Sequence, residues 1–183
     1  MKAVQTELEG VLLIEPDVFR DTRGFFLESY NRSKYRQLGI DADFVQDNHS
    51  RSSRNTVRGL HAQRLHPQAK LVRVIEGSIF DVVVDIRRGS PNYARWIGMR
   101  LSADNFMQCY IPPGYAHGFC VLSEVAQIEY KCTDFYYPDD ELHILWADPD
   151  IGVTWPVVNP MLSDKDRAGR RLRDLIDLLP IIK

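Results

Sequence analysis

Apolar positions along this chain come in short runs in which β-branched and aromatic residues dominate. From Lys70 to Pro91, KLVRVIEGSIFDVVVDIRRGSP reads as two strands, interrupted at Glu76-Gly77 and closed by a turn at Gly89-Ser90-Pro91. YARWIGMRLS, FMQCYIPPG, HGFCVLS and AQIEYKCTDFYY follow. Each is of strand length and rich in the Val, Ile, Tyr and Phe that suit a pleated, half-buried surface. Short strands at regular spacing predict a mainly β protein, a sandwich or barrel. Helix signals fall only at the margins. NRSKYRQLG offers Asn31 as N-cap and Gly39 as a stop; SDKDRAGRRLRDLIDLL offers Ser163 as N-cap with Pro180 past its end, which predicts a helical segment over about 163–180. Glycines and prolines stand singly between the runs, with no repeat and no low-complexity linker. The expectation is one domain over 1–183, with its β core at about 40–160.

Composition narrows the function classes. A chain of 183 residues with 44% hydrophobic content can bury one full core. A formal charge of −2 without a basic block argues against a nucleic-acid surface and leaves room for an anionic small ligand. The opening MKAVQTELEGVLLIEP lacks the apolar run of a signal peptide and no stretch approaches a membrane span, so a soluble, cytoplasmic protein is expected. Cys109, Cys120 and Cys132 make neither an even disulfide framework nor a C-x-x-C pair, which fits buried thiols in a reducing compartment.

The candidate chemistry lies within the β scaffold. His61 in VRGLHAQ and His117 in PPGYAHGF sit before and after several strands. Together they resemble the metal motif of cupins, an early H-x-H and a later P-x-G-x-x-H. Pro112 to His117 matches the second element, but Gln63 occupies the second histidine position of the first. An amide oxygen is a poor transition-metal ligand beside imidazole, so no metal is expected. Without one, an imidazole whose ordinary pKa is about 6.5 makes His61 a candidate general base. LSDKD supplies Asp164 and Asp166 as alternative orienting carboxylates, Lys70 is the type of fixed cation that steadies an enolate, and Tyr130 is a proton donor. Taken singly, each has a plainer reading: a packed histidine, a solvated lysine, a core tyrosine.

Taken together the motifs are specific. The chain resembles the dTDP-4-dehydrorhamnose 3,5-epimerase family through EPDVFRDTRGFFLESYN, FVQDNHSRS, VRGLHAQ, QAKLVRVIEGSIFDVVVDIRRGSP, IPPGYAHGF, YKCTDFYYPDDE, DPDIGVTWP and LSDKD, in that order and across nearly the whole length. The resemblance implies a cupin-like jelly roll with a few short peripheral helices. It implies a homodimer without metal or organic cofactor, and a place in dTDP-L-rhamnose formation for O-antigen and related polysaccharides. The implied reaction inverts C3 and C5 of dTDP-4-dehydro-6-deoxy-D-glucose through deprotonation beside the C4 ketone. His61 looks like the base, Asp166 its dyad partner, Lys70 the group near the C4 oxygen and Tyr130 the acid on the opposite face. Arg23, Glu28, Gln46, Asp47, Asn48, Arg58, His117, Glu141 and Lys165 look like the nucleotide and sugar contacts, with Arg23 and Glu28 shared across the dimer.

Three features depart from the family pattern. Ala62 replaces the usual aromatic, Phe135 removes one of a Tyr-Tyr pair and leaves Tyr136, and ELHILW replaces an ERGIRW type of segment, a change read as one of packing. Three other functions compete. One is inversion at C3 only or C5 only, which sequence does not separate from the double reaction; another is a metal-dependent cupin oxygenase, disfavoured by Gln63; the third is a non-catalytic sugar-nucleotide binding module, disfavoured by the joint presence of base, dyad and acid candidates.

Overall fold

The structure, a computed structural model, describes residues 1–181. Its strands in chain order are β1 (Lys2–Gln5), β2 (Leu12–Glu15), β3 (Val18–Asp21), β4 (Gly24–Leu27), β5 (Gln46–Ser53), β6 (Val57–Gln63), β7 (Lys70–Glu76), β8 (Ser78–Asp85), β9 (Trp96–Ser102), β10 (Gln108–Ile111), β11 (Tyr115–Val121), β12 (Val125–Cys132) and β13 (Glu141–His143). A six-stranded sheet runs β1-β2-β10-β7-β12-β5 and a five-stranded sheet runs β13-β6-β11-β8-β9, while β3 and β4 form a separate ribbon. The named pairings within both sheets are antiparallel. The two sheets pack into a cupin-like jelly roll: the spacing of short apolar runs predicts the β-sandwich, and the family resemblance implies the jelly roll.

Alternation explains which residues meet between the sheets. Val72 and Val74 of β7 and Ala126 and Ile128 of β12 face Ile79 and Val83 of β8 and Phe119 and Val121 of β11 in one buried cluster. Continued toward one end of the sandwich, the same faces turn polar. Beyond Val72 the next inward position is Lys70, beyond Ile128 it is Tyr130, and beyond Phe119 it is His117. The closed end supplies cohesion; the polar end makes a mouth.

The outer face of the five-stranded sheet is also covered. Leu60, Ala62, Val82, Val84, Ala116 and Leu142 pack under Leu172, Leu175 and Leu179 of the C-terminal segment. Burial on both faces accounts for the near-continuous apolar run in β8. On the other side, α1 (Arg32–Gln37) docks Tyr35 against Leu12, Ile14 and Leu71. Asn31 caps it as expected, its side chain accepting from the N–H groups of Ser33 and Lys34. Cys109, Cys120 and Cys132 are free and buried, also as expected.

The expected helical segment over 163–180 is not continuous. Helix α2 covers only Asp164–Arg167, and a 3-10 helix follows at Leu172–Leu178. Between them the chain runs alongside the exit of β13: Arg170 N–H donates to His143 O (2.9 Å), and Leu145 N–H donates to Arg170 O (2.8 Å). Gly169 permits this approach, since a Cβ there would lie 2.8 Å from Leu145 N. Backbone bonds to the sheet displace the helix that local propensity favours. No helix of the described residues is long and apolar enough to cross a membrane.

Candidate active site

The mouth encloses a cavity of about 600 Å³. Strand register brings its chemistry together. His61 of β6 stands directly opposite His117 of β11 and opposite His143 of β13, so three imidazoles form a row across the five-stranded sheet. The facing sheet contributes Lys70 from β7, Tyr130 from β12, and Gln46, Asn48 and Ser50 from β5.

His61 is held by Asp166, whose Oδ1 lies 2.6 Å from His61 Nε2. The sequence left Asp164 and Asp166 open as orienters, and the structure selects Asp166. The same oxygen accepts from Gly59 N–H (3.3 Å), and Oδ2 accepts from Ser163 Oγ (2.7 Å). Ser163 is also the N-cap of α2, taking the Asp166 N–H at 3.1 Å, so one turn of helix fixes the carboxylate. Gly59 allows the strands to come this close: its φ is +121°, and a Cβ would lie 2.6 Å from Gly118 Cα. Asp166 is only 4% exposed. Burial pushes its carboxyl upward, but the bonds from His61 and Ser163 outweigh that and hold it below its ordinary value. With Nε2 committed to Asp166, His61 Nδ1 is the free nitrogen, 3.9 Å from Glu141 Oε1.

Across the cavity, the Lys70 ammonium lies 6.0 Å from the centre of the Tyr130 ring. Burial pulls the lysine below its ordinary pKa, with nearby negative groups, Glu141 and Asp81 among them, opposing it. Burial pushes the Tyr130 phenol above its ordinary value, which keeps it protonated and able to donate. Tyr136, the second phenol at the mouth, donates to Glu141 Oε2 at 2.9 Å and is pushed up to about 12 by burial and by that carboxylate.

Of the expected nucleotide and sugar contacts, Gln46, Asn48, Arg58, His117, Glu141 and Lys165 line this cavity. Arg23, Glu28 and Asp47 do not. Arg23 lies on the β3–β4 ribbon, paired with Asp21, and Glu28 just beyond it pairs with Lys34. Asp47 alternates to the other face of β5, where it pairs with Lys131 and borders a separate depression of about 310 Å³. His117 is buried, with Nε2 2.7 Å from Asp81 Oδ1, so its contribution to the wall is fixed from behind.

Two site residues escape the sequence reading. Asp81 interrupts the apolar stretch of SIFDVVVD and is fully buried against His117, with Oδ2 unpartnered. His143 belongs to ELHILW, the departure read as one of packing. Period-two alternation from Glu141 would have placed both on one face, and the structure sets the His143 ring 5.1 Å from that of His61 and its Nε2 3.2 Å from Glu141 Oε2.

The metal motif can be tested against the residues present. Gln63 is buried, donates to the carbonyls of His66 (2.7 Å) and Phe135 (3.1 Å), and accepts from Tyr137 N–H (2.8 Å). Its amide is consumed in holding the mouth loop, and His117 is consumed by Asp81. The cupin ligand pattern is therefore occupied by structural bonds.

A buried carboxylate behind an imidazole, with a cation and a phenol on the facing wall, makes a proton-transferring isomerase on a cupin-like scaffold. Comparison with known proteins identifies which kind. A sequence model of dTDP-4-dehydrorhamnose 3,5-epimerase matches residues 5–174. The chain is 52% identical over 176 residues to the dTDP-4-dehydrorhamnose 3,5-epimerase of Pseudomonas aeruginosa, covering 95% of this chain and 97% of that one. It is 50% identical over 181 residues to the enzyme of that name from Escherichia coli K12, covering 97% and 98% respectively. The solved structure of the dTDP-6-deoxy-D-glucose-3,5-epimerase from Legionella pneumophila Philadelphia 1, in complex with dTDP-4-keto-L-rhamnose, matches with a TM-score of 0.96 at 45% identity, covering 100% of this chain and 98% of that one. The chain belongs to the dTDP-4-dehydrorhamnose 3,5-epimerase family.

Proposed function

We propose that the chain converts dTDP-4-dehydro-6-deoxy-D-glucose to dTDP-4-dehydro-L-rhamnose by inverting C3 and C5. The carrying observation is the 2.6 Å His61–Asp166 pair in a cavity whose facing wall holds Tyr130 and Lys70. The C4 ketone acidifies both neighbouring C–H bonds. His61 Nδ1 takes the proton, and the bonding pair moves onto the C4 oxygen as an enolate, stabilised by the Lys70 ammonium. Tyr130 then delivers a proton to the carbon from the opposite face, and the enolate re-forms the ketone. Solvent returns a proton to the phenolate and takes one from the imidazolium, so the cycle closes without redox change. Donor and acceptor must be different groups, because one group that removed and returned the proton would retain configuration. Asp166 stabilises the imidazolium and holds its tautomer.

Arg58, Gln46, Asn48, His117, Glu141 and Lys165 are the contacts this cavity supplies to the sugar and diphosphate, the guanidinium being suited to two hydrogen bonds to phosphate. Arg23 and Glu28 serve the site of a second copy in a homodimer. The support is the β3–β4 ribbon, which exposes Phe19, Phe25 and Phe26 at 65%, 57% and 69%, a cost that a partner would remove. A cytoplasmic location is supported by the three free, buried cysteines. The test is incubation with dTDP-4-keto-6-deoxyglucose in deuterated water, read by proton NMR. Exchange at two carbons with an L-configured product is expected; exchange at one carbon identifies a mono-epimerase, and no exchange refutes the reading.

A further inference from the structure

The proposed reaction leaves His143 without a task, yet its surroundings are chemically specific. His61, His143 and Asp166 each bring one ligand atom to within 4.8 Å of the other two. Glu141 adds a carboxylate oxygen 3.2 Å from His143 Nε2. The other ring nitrogen of His143, Nδ1, is buried and has no hydrogen-bond partner. Two imidazoles and two carboxylates on one side of an open cavity form a donor set of nitrogen and oxygen that suits a zinc-class ion, with the cavity side left open for water or a ligand.

We propose that this cluster binds a zinc-class divalent cation through His61, His143 and Asp166, with Glu141 at its rim, and that the bound cation reversibly silences the enzyme. The silencing, though not the binding, rests on the reading of His61 as the base. This cluster is separate from the cupin motif, whose Gln63 and His117 are spent on other partners.

Geometry sets what binding requires. Bonds of about 2.0–2.1 Å to a tetrahedral ion place ligand atoms about 3.3 Å apart. The His61–Asp166 pair, at 2.6 Å, must open slightly, and His143 must move in by on the order of 1 Å. His61 and His143 keep 27% and 26% of their side-chain surface exposed, which leaves room for that adjustment. The cation would compete with Lys165, whose ammonium stands 4.0 Å from Glu141 Oε2. Zinc on His61 Nε2, the nitrogen that faces Asp166, leaves the ring's one proton on Nδ1, so the nitrogen that would take the C–H proton has no free lone pair and the base is removed from the reaction.

The test uses the full-length chain stripped with a chelator and titrated with Zn²⁺ against a chromophoric competitor, with His143→Asn and His61→Asn in parallel. The expected result is one equivalent bound by the wild type and at least tenfold weaker binding by each variant, with Mg²⁺ not competing. In the solvent-exchange assay, Zn²⁺ should inhibit the wild type and require at least tenfold more to inhibit His143→Asn. Failure of the wild type to bind a stoichiometric ion, or equal affinity in wild type and the folded variants, overturns the proposal. If the wild type binds zinc but exchanges no substrate proton, the epimerase reading falls while the metal site stands. If His143→Asn does not fold, His61→Asn decides the binding alone.

Discussion

Replacing Asp166 by Asn separates charge from shape at the dyad. The amide can reproduce the local bonding. Its oxygen would take the place of Oδ1, accepting from His61 and from Gly59 N–H, and its NH₂ would face Ser163 Oγ. That hydroxyl already accepts the backbone N–H of residue 166 and has a second lone pair for the new donor. The tautomer of His61 is therefore kept, and what is lost is a full negative charge beside an imidazolium that exists only after proton removal.

Unit charges about 4 Å apart at an effective dielectric of about 20 interact by about 4 kcal/mol. Asp166 is 4% exposed, so bulk solvent does little to replace that term. The amide dipole recovers part of it. At about 1.4 kcal/mol per decade, kcat is expected to fall by about 10²- to 10³-fold. Folding should be affected far less: weakening charge-assisted bonds to neutral ones costs about 1 kcal/mol, or roughly 2–4 °C in Tm for a chain of this size. The assay is deuterium incorporation at C3 and C5 by NMR, with calorimetry on the same samples. A variant of unchanged Tm whose kcat falls by less than about fivefold would refute the role assigned to the carboxylate.

Gln63→Leu strands two carbonyls and one N–H at the mouth loop and should cost about 3 kcal/mol, with Tm lower by roughly 6–12 °C in calorimetry; an unchanged Tm would show that water satisfies those groups. Because burial lowers the Lys70 pKa and raises that of Tyr130, the alkaline fall in kcat/KM should come from loss of the ammonium before loss of the phenol. Lys70→Arg should therefore shift that fall to higher pH, and an unmoved profile assigns it elsewhere. If Arg23 serves a second copy's cavity, inactive Arg23→Ala and His61→Ala chains refolded together should regain about a quarter of wild-type activity, since one of the hybrid dimer's two sites is then intact; absence of any recovery would put Arg23 outside the partner's site.

What the chain reveals on its own depends on whether a residue's role is set by neighbours in sequence or in space. The β-sandwich is legible because alternation and turn residues are local, and β7, β8 and β12 lie where KLVRVIE, SIFDVVVD and AQIEYKC place them. The helical segment over about 163–180 divides in two because Gly169 is decided by contact with Leu145, 24 positions away, which no propensity encodes. The same distinction runs through the site. His61, Lys70 and Tyr130 carry motifs, whereas Asp166 is separated from its partner by 105 residues and is chosen over Asp164 only by the helical turn that Ser163 starts. His143 is the sharpest case. Its neighbours in sequence make it look like packing, and only the pairing of β13 with β6 sets it beside His61, where a departure read as one of packing gives the pocket a third imidazole.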